Sequence, residues 1–143
     1  MARSRFRAGD RERAKALFRA LPLAARKGTS RALLEAATEL ATAVKRAVPV
    51  DHGDLRDSIR VKRGKRQDTS RGRDQDAGTD PDLTVRVTEG DRKTFYAPFV
   101  EFGTKDRPAQ PHFWPTYRAN KRRLSRRIKA AQRKALREAN KHV

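Results

Sequence analysis

One apolar stripe, Leu33, Ala37, Leu40, Ala41, Val44 and Val48, runs along the chain and stops at Pro49. Its steps of three and four residues are those of a single helix face. A chain of 143 residues has room for one domain with a modest core. The fold must therefore be arranged around the helix predicted over 30–47, about 27 Å long at 1.5 Å per residue. Upstream, Asp10 as N-cap and Ala14, Leu17, Phe18 and Leu21 at helical spacing predict a short helix over 10–20. Pro22 interrupts that pattern, and because proline is tolerated in a first turn it can open the next helix.

Downstream, PVDHGDL is turn chemistry, and SIRVK at 58–62 alternates as a strand does. Residues 63–82 hold almost no apolar side chains, which predicts a long mobile loop. LTVRVT at 83–88 alternates strictly, with Leu83, Val85 and Val87 on one face, and predicts a second strand. EGDR is a turn, residues 94–100 carry much of the aromatic content, and PAQPHFWP is a proline-bounded connector. From 116 to the end the pattern is helical again, with a seam of Leu124, Ile128, Ala131 and Ala135. So thin a seam predicts light packing, on its own domain or on a neighbouring subunit. The expected fold is one α+β domain over 1–143: a long N-terminal helix, a small antiparallel sheet with a mobile loop at 63–82, and a basic C-terminal helix at 116–143.

Charge sorts the chain into three parts. Residues 1–48 carry 12 Lys/Arg against 4 Asp/Glu, residues 118–143 carry 11 against 1, and the 69 residues between carry 13 against 12. The net charge of +19 thus belongs to the two ends, which call for an acidic partner surface or nucleic acid. Charged residues, at 37%, outnumber the apolar 36%, so much of the surface is solvated or pressed against a partner. There is no cysteine for a disulfide or thiolate site. No apolar run approaches the roughly 20 residues of a membrane span, and the basic N-terminus lacks a signal peptide's apolar core. A soluble protein made in a cytoplasm is expected.

Catalytic chemistry finds little footing. Pro81-Asp82 followed by Asp91-Arg92-Lys93 matches the PD…(D/E)xK string of metal-dependent nucleases. That chemistry needs the second acid and the lysine on a strand beside a bound Mg²⁺, and here they fall in a turn. Asp51, Asp54 and Asp57 are better explained as capping groups than as metal ligands, and His52, His112 and His142 lack ligand spacing. No enzyme and no cofactor are expected. A basic nucleic-acid-binding protein is the alternative: Arg118 to Arg137 would form a helix able to lie along phosphates. Against it, no aromatics interleave with the basic residues, and no recognised nucleic-acid-binding signature is present.

The order of segments is more specific. A long helix leads into VPVDHGDLRDSI, then come a basic loop, a strand, YAPFVEFGT at 96–104, a Pro-aromatic-Pro element at 111–115 and a basic helix. This resembles the head–tail connector family of long-tailed bacteriophages, the neck or tail-completion proteins. The matching segments are 44–58, 96–104 and 111–115; His52 stands where the family usually has threonine. The resemblance spans about residues 30–120. It implies an α+β subunit of a symmetric ring of six copies around the DNA channel, a structural role without catalysis. Partners would be adjacent neck and tail proteins, with room for non-specific DNA contact in the channel, and the location would be the virion, assembled in the host cytoplasm. In that frame Tyr96, Phe99, Glu101, Phe102, Phe113 and Trp114 are candidate subunit contacts. Gly53 and Gly103 would supply positive-φ turns. Arg122, Arg123, Arg126, Arg127, Lys129, Arg133 and Lys134 form a basic helix facing acidic neighbouring proteins. The plainer expectations are that Phe99 and Phe102 belong to the core, that Trp114 marks a surface corner, and that Glu101 accepts local backbone N–H groups.

Overall fold

Helix α1, Leu23–Ala47, is the spine that the stripe predicts, and it begins directly after Pro22 rather than at residue 30. The computed structural model describes residues 22–64 and 81–141. The expected helix at 10–20 and most of the expected loop at 63–82 lie outside the described residues. The extra turns of α1 are held by packing. Ala25 is fully buried and accepts the Thr29 hydroxyl at 2.9 Å, and Arg63 donates to the buried Ser30 hydroxyl at 2.6 Å. Gly28 lets another helix approach closely: a Cβ there would lie 2.9 Å from that of Ala135. From the stripe, Leu40, Ala41, Val44 and Val48 are buried together with Ala36, while Leu33 and Ala37 line an open groove.

The chain reverses at 49–52, where the His52 amide donates to the Pro49 carbonyl at 3.0 Å. Helix α2, Gly53–Asp57, follows and anchors itself with the fully buried Leu55. Gly53 is therefore not a positive-φ turn. It opens α2, and nothing lies within 4 Å of where its Cβ would sit. Nor does a side chain cap this helix, so the three aspartates at 51–57 do not have the capping role expected of them.

Strand β1, Arg60–Arg63, pairs antiparallel with β2, Val85–Thr88, with Val61 opposite Val87. Both valines pack against the core. Each strand is shifted from its expected bounds by the groups at its start. Ser58 is a buried turn residue whose hydroxyl donates to the Leu55 carbonyl (2.6 Å) and accepts the Gly90 amide (3.0 Å), clamping the two ends of the hairpin region. Leu83 falls in the 3₁₀ turn Pro81–Leu83, which the fixed φ of proline favours.

Helix α3, Ala97–Phe102, is short, and helix α4, Phe113–Lys141, is the longest element. As the thin seam predicts, α4 buries one residue, Leu124, and of the two placements left open it packs on its own domain. It runs antiparallel along α1, and the two make the most extensive contact between any pair of elements. Leu124 is buried and Ile128 half-buried on that seam. Beside it Arg123 meets Glu39 at 2.5 Å, and Arg127 meets Glu39 at 2.5 Å and Glu35 at 3.7 Å. These pairs are partly exposed, worth fractions of a kcal/mol each, so they align the helices more than they hold them. The core is shared by α1, α2, the sheet, α3 and α4.

Candidate functional site

The segments at 96–104 and 111–115 meet at one corner. Pro98 is accommodated in the first turn of α3. Gly103 ends that helix with φ 76° and ψ 174°, a backbone conformation reserved in practice for glycine. The Thr104 amide then donates to the Arg107 carbonyl (2.9 Å), the Arg107 amide to the Thr104 hydroxyl (3.1 Å), and the Gln110 amide reaches back to the Val100 carbonyl (2.8 Å). This loop returns the chain so that α4 starts beside α3.

Glu101 occupies the junction, 5% exposed. One carboxylate oxygen accepts the amides of His112 (2.8 Å) and Phe113 (3.0 Å), and the other accepts that of Trp114 (3.0 Å). An α-helix leaves its first four N–H groups without an internal partner. Here three go to Glu101, and the fourth position is Pro115, which has no N–H. The negative charge also suits the positive end of the helix. Of the two uses the sequence leaves open for Glu101, acceptance of backbone N–H groups is the one observed. Helix α4 therefore starts at Phe113, three residues before the expected boundary.

His112 lies beneath the cap, 2% exposed. Its Nδ1 faces the Gln110 carbonyl at 2.9 Å and Glu101 at 3.3 Å, and its Nε2 faces Glu89 at 2.5 Å. Both ring nitrogens meet acceptors, so the ring must be an imidazolium whenever Glu89 is ionised. Burial opposes that charge, yet the Gln110 carbonyl and the two carboxylates prevail, and the His112 pKa is raised above its ordinary 6.5. Burial raises Glu89 above 4.5 against the pull of His112. For Glu101 burial also pushes upward, but the three amides and His112 outweigh it and hold the carboxyl below 4.5. The sequence offers His112 only as a metal ligand without ligand spacing and Glu89 only as part of a turn, and no local signal joins the two, which stand 23 residues apart.

A raised folded-state pKa for His112 gives stability that is complete below 6.5 and is lost as pH climbs through the folded value. Denaturant titrations should therefore show unfolding free energy declining above pH 6.5, no more steeply than about 1.4 kcal/mol per pH unit for one proton. His112→Gln should flatten this limb. A wild-type stability unchanged from pH 6.5 through 9 would contradict the imidazolium assignment.

The aromatic candidates divide into two sets. Tyr96 and Phe113 are half-buried against the core. Phe99 and Phe102, expected in the core, are instead 54% and 69% exposed, and Trp114 is 46% exposed. The reason is helical spacing: Ala97, Val100 and Glu101, three and four residues apart, take the inward face of α3, so positions 99 and 102 point out. Trp114 packs edge-on to Phe113 and Tyr117, with centroids 5.5 and 5.9 Å away. It lines both a shallow pocket with Phe102 and an open, largely apolar groove of about 660 Å³ between α1, β2 and α4. The apolar surface is thus continuous from Phe102 across Trp114 to Tyr117 and Ile128.

The nominated basic residues also divide. Arg123 and Arg127 turn toward Glu39 and Glu35 of α1. Arg122, Arg126, Lys129, Arg133 and Lys134 are exposed. The acid of the nuclease-like string, Asp91, organises a turn: one of its oxygens accepts the amides of Lys93 and Thr94 and the Thr94 hydroxyl at 2.8–2.9 Å. Among the described residues no group of three or more His, Asp and Glu side chains could hold a metal ion, and no helix is long and apolar enough to cross a membrane.

Residues 14–103 match the family described as "Bacteriophage HK97-gp10, putative tail-component". The match takes in α1, α2, both strands, α3 and Gly103, and with them Glu101. No curated protein and no solved structure matches the chain. With more than half its length matched, and with Glu101, Phe102 and Gly103 at the end of that match, the chain belongs to the HK97-gp10-like family of bacteriophage tail components.

Proposed function

We propose that the protein is a structural virion component that forms a ring, of six copies, in the neck or head-proximal tail of a tailed phage or phage-like particle. The ring joins head to tail around the DNA channel, its neighbours are adjacent neck and tail proteins, and its mechanism is assembly rather than catalysis. The observation that carries this is the outward pair Phe99 and Phe102. In YAPFVEFGT, Ala97, Val100, Glu101, Gly103 and Thr104 all have internal roles, whereas these two rings have none and remain exposed. Large aromatics presented beside an apolar groove are the residues that dominate protein interfaces. Membership of a phage tail-component family supplies the setting.

The test is the mass of nuclease-treated protein by light scattering coupled to size exclusion, at several salt concentrations, alone and with its neck partners. A discrete ring is expected. The double variant Phe99→Ser, Phe102→Ser should keep its helical circular dichroism and need at least roughly 30-fold more protein to assemble, the effect of losing a 2 kcal/mol hot spot. A wild type that stays monomeric in every condition, or a variant that assembles equally well, would overturn the proposal.

A further inference from the structure

We infer that the outward face of α4 is a binding surface for the phosphate backbone of double-stranded DNA. Arg118, Arg122, Arg126, Lys129, Arg133 and Arg137 follow one another at steps of four, four, three, four and four, which places them in one row. All six are exposed, and the row is about 28 Å long at 1.5 Å per residue. Its arginines lie on the side of α4 away from Leu124 and Ile128, which face the core, and Lys129 at its edge also lines the groove beside Ile128. The two arginines directed at α1, Arg123 and Arg127, are the ones matched with carboxylates. Among the described residues no carboxylate pairs with the outward row, and the one acid on the helix, Glu138, falls outside it.

The composition of the row selects the partner. The centre of a protein interface is depleted in charge and carries aromatic anchors, and this row has the reverse character. The exposed aromatics are placed elsewhere, on and just before α3 and at the start of α4. Five of the six cations are arginines, whose planar fork fits phosphate oxygens. Without interleaved aromatics there is no platform for unstacked bases, so a duplex suits the face better than a single strand. A duplex presents about one charge per 1.7 Å of axis, ample to engage the whole row. The ring proposal bears only on where such DNA would be met; the binding itself belongs to the isolated chain.

Full-length, nuclease-treated protein should bind a 30-base-pair mixed-sequence duplex in fluorescence anisotropy, without sequence preference. Changing Arg122, Arg126, Lys129 and Arg133 together to Gln should reduce the slope of log K against log salt by about 3.6, at 0.9 per phosphate contact. Between 100 and 300 mM salt the fold-loss of affinity should then shrink by about 50-fold relative to wild type, whatever other cations contribute. Arg123→Gln with Arg127→Gln should leave the slope nearly unchanged. An unaltered slope in the quadruple variant, no binding by wild type at 100 mM salt, or tighter binding of polyglutamate than of duplex at equal charge would each overturn the inference, the last pointing to an acidic protein. Measuring the slope on Phe99→Ser, Phe102→Ser separates the two proposals: an unchanged slope in a chain that no longer assembles leaves the DNA surface standing alone.

Discussion

Glu101→Ala is expected to lower the unfolding free energy by about 3–5 kcal/mol, the range for removing one partner of a buried ionic network. Domains of this kind are stable by only about 5–15 kcal/mol, so the variant should be close to the limit of folding. The size follows from what is left behind. The amides of His112, Phe113 and Trp114 lose their acceptor inside the protein, and the His112 ring loses one of its two carboxylates. Each buried donor left unpaired costs about 1–3 kcal/mol, while partial entry of water reduces the sum. Glu101→Gln keeps the shape and one acceptor oxygen but loses the charge, and should cost about 1–3 kcal/mol. Urea titrations of both variants measure this. An alanine variant within about 1 kcal/mol of wild type would mean that α4 does not depend on its cap.

Gly103→Ala should cost about 2–4 kcal/mol, from two sources that cannot relieve one another. The φ of 76° with ψ 174° lies in a region essentially closed to side chains, at about 1–3 kcal/mol. The added Cβ would also stand 2.7 Å from the Ala109 nitrogen and 3.1 Å from the Ala109 Cα and the Arg107 oxygen. All three are backbone atoms, with no rotamer to turn aside. Gly53→Ala is the matched control: it opens a helix in empty space, and should be neutral or stabilising by up to about 1 kcal/mol. Equal costs at the two glycines would refute the conformational argument. Because Gly103 and Glu101 shape the same return loop, the double variant should lose less than the two single losses combined.

The parts legible in the sequence are those written as a period. The stripe from Leu33 to Val48 and the seam at Leu124 and Ile128 announce helices because burial repeats every three to four residues, and LTVRVT announces a strand because it repeats every two. Features made by tertiary contact were hidden. Pro22 marks a permitted helix start, but that the helix is continuous from there to Ser30 depends on Gly28 meeting Ala135 and on Arg63 reaching Ser30. The ionic cluster of Glu89, Glu101 and His112 joins three segments that no local rule connects. Helix α3 is too short to show a period, so for Phe99 and Phe102 the sequence leaves both core and subunit contact open, and hydrophobicity cannot tell a core aromatic from an interface one. Glu101 lies between, since a carboxylate next to a turn reads as a local acceptor although the helix it caps does not show. Gly53 and Gly103 look alike in sequence, and only the backbone separates them.

The pairing of α1 with α4 is like a ruler with repeating marks. Four residues after Leu124 comes Ile128, after Arg123 comes Arg127, and Ala131, Ala135 and Ala139 follow at the same interval. On α1, Glu35 is followed by Glu39, Ala37 by Ala41, and Ala36 by Leu40 and Val44. Sliding one helix past the other by four residues, about 6 Å, would set like against like along most of the seam, and the charge pairs that resist it fade as salt rises. Two features have no copy four residues away: Gly28, where Ala135 approaches closely, and the cap at Glu101. One near each end of α4, they act as the stops against which the long helix is measured, and they fix where along the molecule every outward-facing side chain of that helix is presented.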